Sequence, residues 1–233
     1  MRSIFLTIFT LLLPLAWLIE GKAETVVAET SCDSTAMSRH EQLFHEMHLD
    51  SIVNYTAFEQ AVVGYERIQE KKRPVLTLID FSKPSTEKRL YVFDMNAKKL
   101  LYSSVVAHGK NSGDKYATSF SNKNGSHKSS LGFYLTGGTY QGNNGYSLIL
   151  DGLEKGVNDQ ARRRAIVVHG ADYANPEVAK CGRLGRSFGC PALPRALTRP
   201  IIDAIKGGSV LFIYAEKQEY LAQSSILQNH DIL

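Results

Sequence analysis

The chain is 233 residues long and 43% hydrophobic, which suits one well-cored domain of about 150 residues with a smaller segment attached. Its formal net charge of +4 is too mild an excess to indicate a nucleic-acid partner, and ordinary solvated lysines account for it.

At the N-terminus Arg2 precedes an apolar run over residues 3–19, followed by the small-residue pattern Gly21-Lys22-Ala23. That layout predicts a secretory signal peptide over residues 1–23, cleaved after Ala23. The alternative is an uncleaved anchor, because the run approaches the roughly 17 residues that just span a bilayer. Cleavage removes two positive charges (Arg2, Lys22) and one negative (Glu20), leaving +3. Cys32 lies too far beyond the run for lipid attachment, and no later run is long and apolar enough to span a membrane. The mature chain is therefore expected in the periplasm or cell envelope, without stable membrane insertion, as a monomer.

Residues 24–37 are polar, small and aperiodic, which predicts a linker. A helical segment follows over 38–72. Ser38 with Glu41 matches a capping box ahead of a helix over 39–48. Phe58, Ala61, Val62, Tyr65 and Ile68 share one face of a second helix, ending near Lys72 before Pro74.

From Val75 the period becomes that of strands: 75–80, 90–94 and 100–107, with 94–98 as a hairpin connection. Further strands are predicted over 132–136, 146–150, 165–169 and 209–214, with a helix over 198–206 stopped by Gly207. Successive strands without alternating helices predict a mainly β fold over 73–216, a sandwich of mixed sheets, with a C-terminal tail over 217–233. Residues 109–130 and 137–145 are rich in Gly, Ser and Asn and are predicted to be long loops serving as lids or binding edges.

The chemistry concentrates in Ile166-Val167-Val168-His169-Gly170 and in Gly185-Arg186-Ser187-Phe188-Gly189-Cys190-Pro191. An apolar strand ending in His-Gly sets an imidazole at a sheet edge, within reach of a neighbouring loop. A Ser-x-Gly turn before Cys190 lets the backbone bend sharply and aim N–H groups at an approaching carbonyl. A thiol attacks only as thiolate, and an imidazole can take its proton and return it to a leaving amine. Cys190 and His169 would supply that pair.

This pattern resembles the YkuD-type L,D-transpeptidases, with His-Gly, a loop, then Ser-x-Gly-Cys, and is most similar to their second subfamily. His108-Gly109, Phe120-Ser121-Asn122, Ser130-Leu131-Gly132, Tyr140-x-Gly142 and Gly152-Leu153-x-x-Gly156-x-Asn158 carry the resemblance across residues 75–214. The chain departs from the main family at Phe188, where histidine is common, and at Pro191-Ala192. The resemblance implies a YkuD-like β-sandwich and peptidoglycan stem peptides as partners, with no cofactor. The Cys190 thiolate would attack the carbonyl before the terminal D-alanine of a tetrapeptide stem, and an amine of a second stem would then accept the acyl group in a 3→3 cross-link. It also implies that the Gly170 carbonyl orients His169, that Ser187 shapes the turn, and that the Gly189 and Cys190 N–H groups hold the oxyanion. Arg164 and Arg186 suit bidentate pairing with a substrate carboxylate, and Tyr140 joins them as an expected substrate contact. Solvation or bridging to local acids is the plainer reading of both arginines.

Three cysteines leave one thiol unpaired if the other two pair: Cys32 with Cys181 would free Cys190, Cys181 with Cys190 would block it, and Cys32 and Cys181 as unpaired structural thiols are an equal alternative. No metal is expected, since His45 and His48 on the first helix lack completing ligands and His169, Cys181 and Cys190 match no zinc spacing. The competing functions are an L,D-carboxypeptidase or cell-wall amidase on the same scaffold, and a catalytically inactive wall-binding protein.

Overall fold

A computed structural model of the chain describes residues 37–228. The expected signal peptide, the linker up to residue 36, and Cys32 lie outside the described residues. Among the described residues no helix is long and apolar enough to cross a membrane.

The helical segment begins as its capping chemistry dictates. Ser38 Oγ accepts from Glu41 N at 3.1 Å and starts α1 (Arg39–Glu46), since a side-chain oxygen at this position satisfies an N–H that the first turn leaves bare. Asn54 caps α2 (Tyr55–Arg67) in the same way through Ala57 N. That helix ends before the expected Lys72, because Ile68 is already extended at ψ 110°. Its apolar face, including Phe58, Ala61 and Val62, is fully buried. Gly64 lies so close under the Phe133 ring that a Cβ there would overlap it. The two helices thus form one wall of the main core, and Phe44 and Phe58 pack edge to face within it.

The strands are β1 (Val75–Asp80), β2 (Leu90–Asp94), β3 (Lys99–Ser104), β4 (Gly132–Gly142), β5 (Gly145–Gly152), β6 (Val167–Gly170), β7 (Ala192–Leu193) and β8 (Val210–Tyr214). Three further helices, α3 (Pro176–Ala179), α4 (Arg195–Ile205) and α5 (Gln218–Leu221), complete the chain. The fold is mainly β with a mixed sheet, as expected. The strands form one ladder in the order β3-β2-β1-β8-β4-β5-β6-β7. The β1–β8 and β6–β7 pairs are parallel and the others antiparallel. Central β1 and β8 are buried along their whole length, which matches the apolar run of β8 and the largely apolar run of β1, interrupted by Thr77 and closed by Asp80.

Two departures from the sequence reading shape the site. Residues 137–145 are not a long loop: β4 and β5 continue as a hairpin to the Gly142↔Gly145 pair. The Gly137-Gly138 irregularity is a register shift between Thr136 and Thr139, a bulge that composition alone resembles a loop signal. β3 also stops at Ser104, short of the expected residue 107. Three residues on, Ala107 exchanges backbone hydrogen bonds of 2.8 and 3.2 Å with Ala192 of β7. An extended stretch of that length covers about 10 Å, so the two edges of the ladder come together and the sheet curls around its core.

The residues after β8, read as a tail, pack back onto the domain through α5. The buried Glu154 carboxylate accepts from Phe133 N (2.7 Å), Tyr220 Oη (3.0 Å) and Ser224 Oγ (2.5 Å). Asn158 joins the same knot, donating from Nδ2 to the Leu131 and Phe133 carbonyls. Burial raises the Glu154 carboxyl pKa, and these donors oppose the rise. Replacing Glu154 by alanine strands three buried donors, so a loss of about 2–4 kcal/mol is expected in urea denaturation. A midpoint unchanged from wild type would refute that role.

Candidate active site

Strand β6 and the turn before β7 carry the candidate residues His169 and Cys190. β6 does not begin at Ala165 as expected, because Ala165 adopts φ +52° and closes the preceding turn, where Ile166 N donates to Ala161 O at 2.9 Å. This left-handed residue aims its carbonyl at Cys190: Sγ donates to Ala165 O at 3.6 Å, and Val167 N donates to Sγ at 3.5 Å. His169 lies two residues further along β6, paired with Ala192, its N–H facing Pro191 O at 3.4 Å. The thiol is thereby held against the start of β6, at Val167, two residues before His169 on the same strand.

The turn itself is rigid. Ser187 Oγ donates to Cys190 O at 2.7 Å and accepts from Gly189 N at 3.0 Å. Gly189 sits at φ +129°, and a Cβ there would meet Lys128 O and the Ile166 side chain, so glycine is required. The Gly189 N–H, expected to face an oxyanion, donates to Ser187 Oγ in this structure, because the tight turn folds the hydroxyl over it. The Cys190 N–H is the donor of this turn that remains beside the sulfur.

Burial raises the Cys190 thiol pKa above its ordinary value, opposed by the Val167 N–H and the Arg164 charge. Burial lowers the His169 pKa; the Gly170 carbonyl opposes this and Arg195 adds to it. Both groups are therefore neutral at rest near pH 7. A carbonyl only accepts, so the 3.0 Å contact between His169 Nδ1 and Gly170 O puts the proton on Nδ1 and leaves Nε2 as a free base.

The expected substrate contacts divide. Tyr140 pairs with Ser147, and Ser147 with His169, so Tyr140 stands in the His169 row two strands away, about 10 Å. Arg164 is bound to the loop over 109–130, donating to Ser121 O (2.7 Å), Ser130 Oγ (2.5 Å), Lys128 O (2.6 Å) and Ser126 Oγ (3.3 Å). Its charge reaches the thiol while its donors order the loop. Arg186 donates to Gly113 O at 3.0 Å and lies 3.4 Å from Asp114. Cys181 and Cys190 are both free thiols.

Sequence reasoning missed the clamp behind the turn. Ser129 Oγ donates to Gly189 O (3.0 Å) and accepts from Gly109 N (3.1 Å). Ser187 N donates to His108 O at 2.9 Å, and Lys110 N to Ser187 O at 2.8 Å. Arg89, wholly buried, fixes this segment by donating to Val106 O (3.0 and 2.7 Å) and to His108 Nδ1 (2.8 Å). Burial, with Arg89 beside it, lowers the His108 pKa to about 4, so this histidine is a neutral strut. Only His108-Gly109 stood out in the sequence, and nothing there linked it to Arg89.

Residues 49–214 match the family described as L,D-transpeptidase catalytic domain. No curated protein matches the chain. Among solved structures, the chain is similar to an L,D-transpeptidase from Mycobacterium smegmatis at 14% identity and TM-score 0.39, covering 61% of this chain and 59% of that one. It is also similar to the helical cell shape determining protein Pgp2 from Campylobacter jejuni (14% identity, TM-score 0.43, 69% and 55% covered). L,D-transpeptidase 3 from Mycobacterium tuberculosis is similar at 11% identity and TM-score 0.39, with 61% of each chain covered. The chain thus spans about three-fifths or less of the length of these structures.

Proposed function

Because the chain belongs to the L,D-transpeptidase catalytic domain family, we propose that Cys190 is the nucleophile, and His169 the base, of an acyl transfer on peptidoglycan stem peptides. The observation that carries the reading is the resting arrangement on β6, a neutral thiol beside a strand whose histidine keeps Nε2 unprotonated. Nε2 takes the thiol proton as sulfur bonds to the carbonyl carbon before the terminal D-alanine. The Cys190 N–H faces the oxygen that becomes negative. The carbon–nitrogen bond then breaks, the imidazolium returns its proton to the departing amine, and an acyl-enzyme remains. A second stem's amine, giving its proton to Nε2, resolves the thioester into a 3→3 cross-link.

The Arg164 cation supports the thiolate from the loop side, while its four bonds hold that loop in place. Its role in this reading is positioning and charge, with the substrate carboxylate taken elsewhere. Tyr140, in the His169 row, lies along the path of an approaching stem. The predicted signal peptide would deliver the enzyme to the periplasm or cell envelope, where this substrate is found.

Mass spectrometry of purified tetrapeptide muropeptides incubated with the protein tests the reading. A cross-linked dimer with release of one D-alanine per bond is expected. Shortened tripeptide monomers alone would make the enzyme an L,D-carboxypeptidase, and unchanged tetrapeptides would overturn the proposal.

A further inference from the structure

Phe188 is the most exposed large hydrophobic side chain among the described residues, at 66%, and it stands two residues before Cys190. Leaving such a ring in water forgoes about 2 kcal/mol of burial. Looseness does not explain it, since Ser187 is anchored on both its N–H and its carbonyl to the 108–110 segment. The ring also has company from the opposite loop. Lys110 Nζ lies 4.6 Å from the ring centroid, and the His127 ring lies 4.6 Å away, tilted by 37°. His127 is held at φ +52°, a conformation that costs a non-glycine residue about 1 kcal/mol or more and persists where its surroundings enforce it.

The charge of this cluster is unanswered. Among the described residues the Lys110 ammonium has the Phe188 ring as its contact and no carboxylate partner. Asp114, the one acid in the loop over 109–130, is taken by Arg183 at 2.8 Å and Arg186 at 3.4 Å. A rigid apolar ring flanked by a free cation fits a ligand with a small alkyl group next to a carboxylate.

We propose that Phe188, Lys110 and His127 form the subsite for the terminal D-alanine of the donor stem, the methyl lying on the ring and the carboxylate meeting the ammonium. This rests on the reading of Cys190 as nucleophile. Covalent geometry puts that carboxylate within about 5 Å of the attacked carbonyl carbon, and two residues of backbone put the Phe188 Cα within about 7 Å of the Cys190 Cα, so the two spans are compatible. An incoming amine with a carboxylate on the same carbon presents the same shape, so the subsite also selects acceptors of that class.

The test is binding of a tetrapeptide stem and of its C-terminal amide to the Cys190→Ala protein, measured by calorimetry, with and without Lys110→Gln. The free acid is expected to bind about 2- to 5-fold more tightly than the amide, and Lys110→Gln is expected to erase the difference. Phe188→Ala is expected to weaken both peptides alike. Equal affinity for acid and amide, a preference that survives Lys110→Gln, or no binding of either peptide would overturn the subsite. Product formation by the unmodified protein reports separately on the acyl transfer, so a failure of the chemistry and a failure of the subsite are told apart.

Discussion

Replacing Cys190 by alanine is expected to remove tetrapeptide turnover, by about four orders of magnitude or more, while leaving the fold intact. The sulfur makes two long contacts, with Val167 N at 3.5 Å and Ala165 O at 3.6 Å, one at the start of β6 and one in the turn before it. The turn is held by other bonds, chiefly Ser187 Oγ to Cys190 O and Ser129 Oγ to Gly189 O, none of which needs the sulfur. Thermal denaturation of the variant should therefore fall within a few degrees of wild type, as expected for a change of about 1 kcal/mol or less. Turnover at a wild-type rate in the alanine variant would remove the nucleophile from this proposal.

The second large effect is expected from His169→Ala, read as acylation rate against pH. Because burial holds the thiol above its ordinary pKa, the thiolate fraction at pH 7 is small without a base. Acylation should fall by about 10²- to 10⁴-fold. The profile should change shape as well. In the wild type the imidazole pKa is pushed below its ordinary value of 6.5, so the base is lost only as pH drops through that lowered value, and activity should hold across neutrality. The variant has no such base, so its rate should climb about tenfold per pH unit from neutrality to beyond pH 9. A flat profile in the variant at a near-normal rate would remove His169 from the role of base. Buffer-catalysed rescue by free imidazole would support it.

The legible part of this protein was the part written in local chemistry. Ser38 as helix cap and the largely apolar runs of β1, β2 and β8 are interactions among near neighbours or demands of full burial, and they fell close to where predicted. The hairpin of β4 and β5 did not, because its glycines, with the Asn143-Asn144 turn, have the composition of a loop, and the glycines become strand only when a partner strand meets them. The isolated bridge between Ala107 and Ala192 was equally out of reach, since pairing across the ladder leaves no mark on either short stretch.

The candidate site divides the same way. The residue types and spacing of His169-Gly170 and Ser187-x-Gly189-Cys190 named the proposed reacting groups without coordinates, because a nucleophile, a base and a sharp turn each require particular side chains. Which N–H of the turn bonds Ser187 Oγ, which loop groups Arg164 binds, and how Arg89 reaches the turn before Cys190 through His108 were decided by the tertiary structure alone. Hydrogen-bond donors are allotted by distance and direction in space, and residues 89, 108 and 187 are brought together only by the curling of the sheet. Sequence determined what chemistry the chain can carry; packing determined which of its polar groups are left over to perform it.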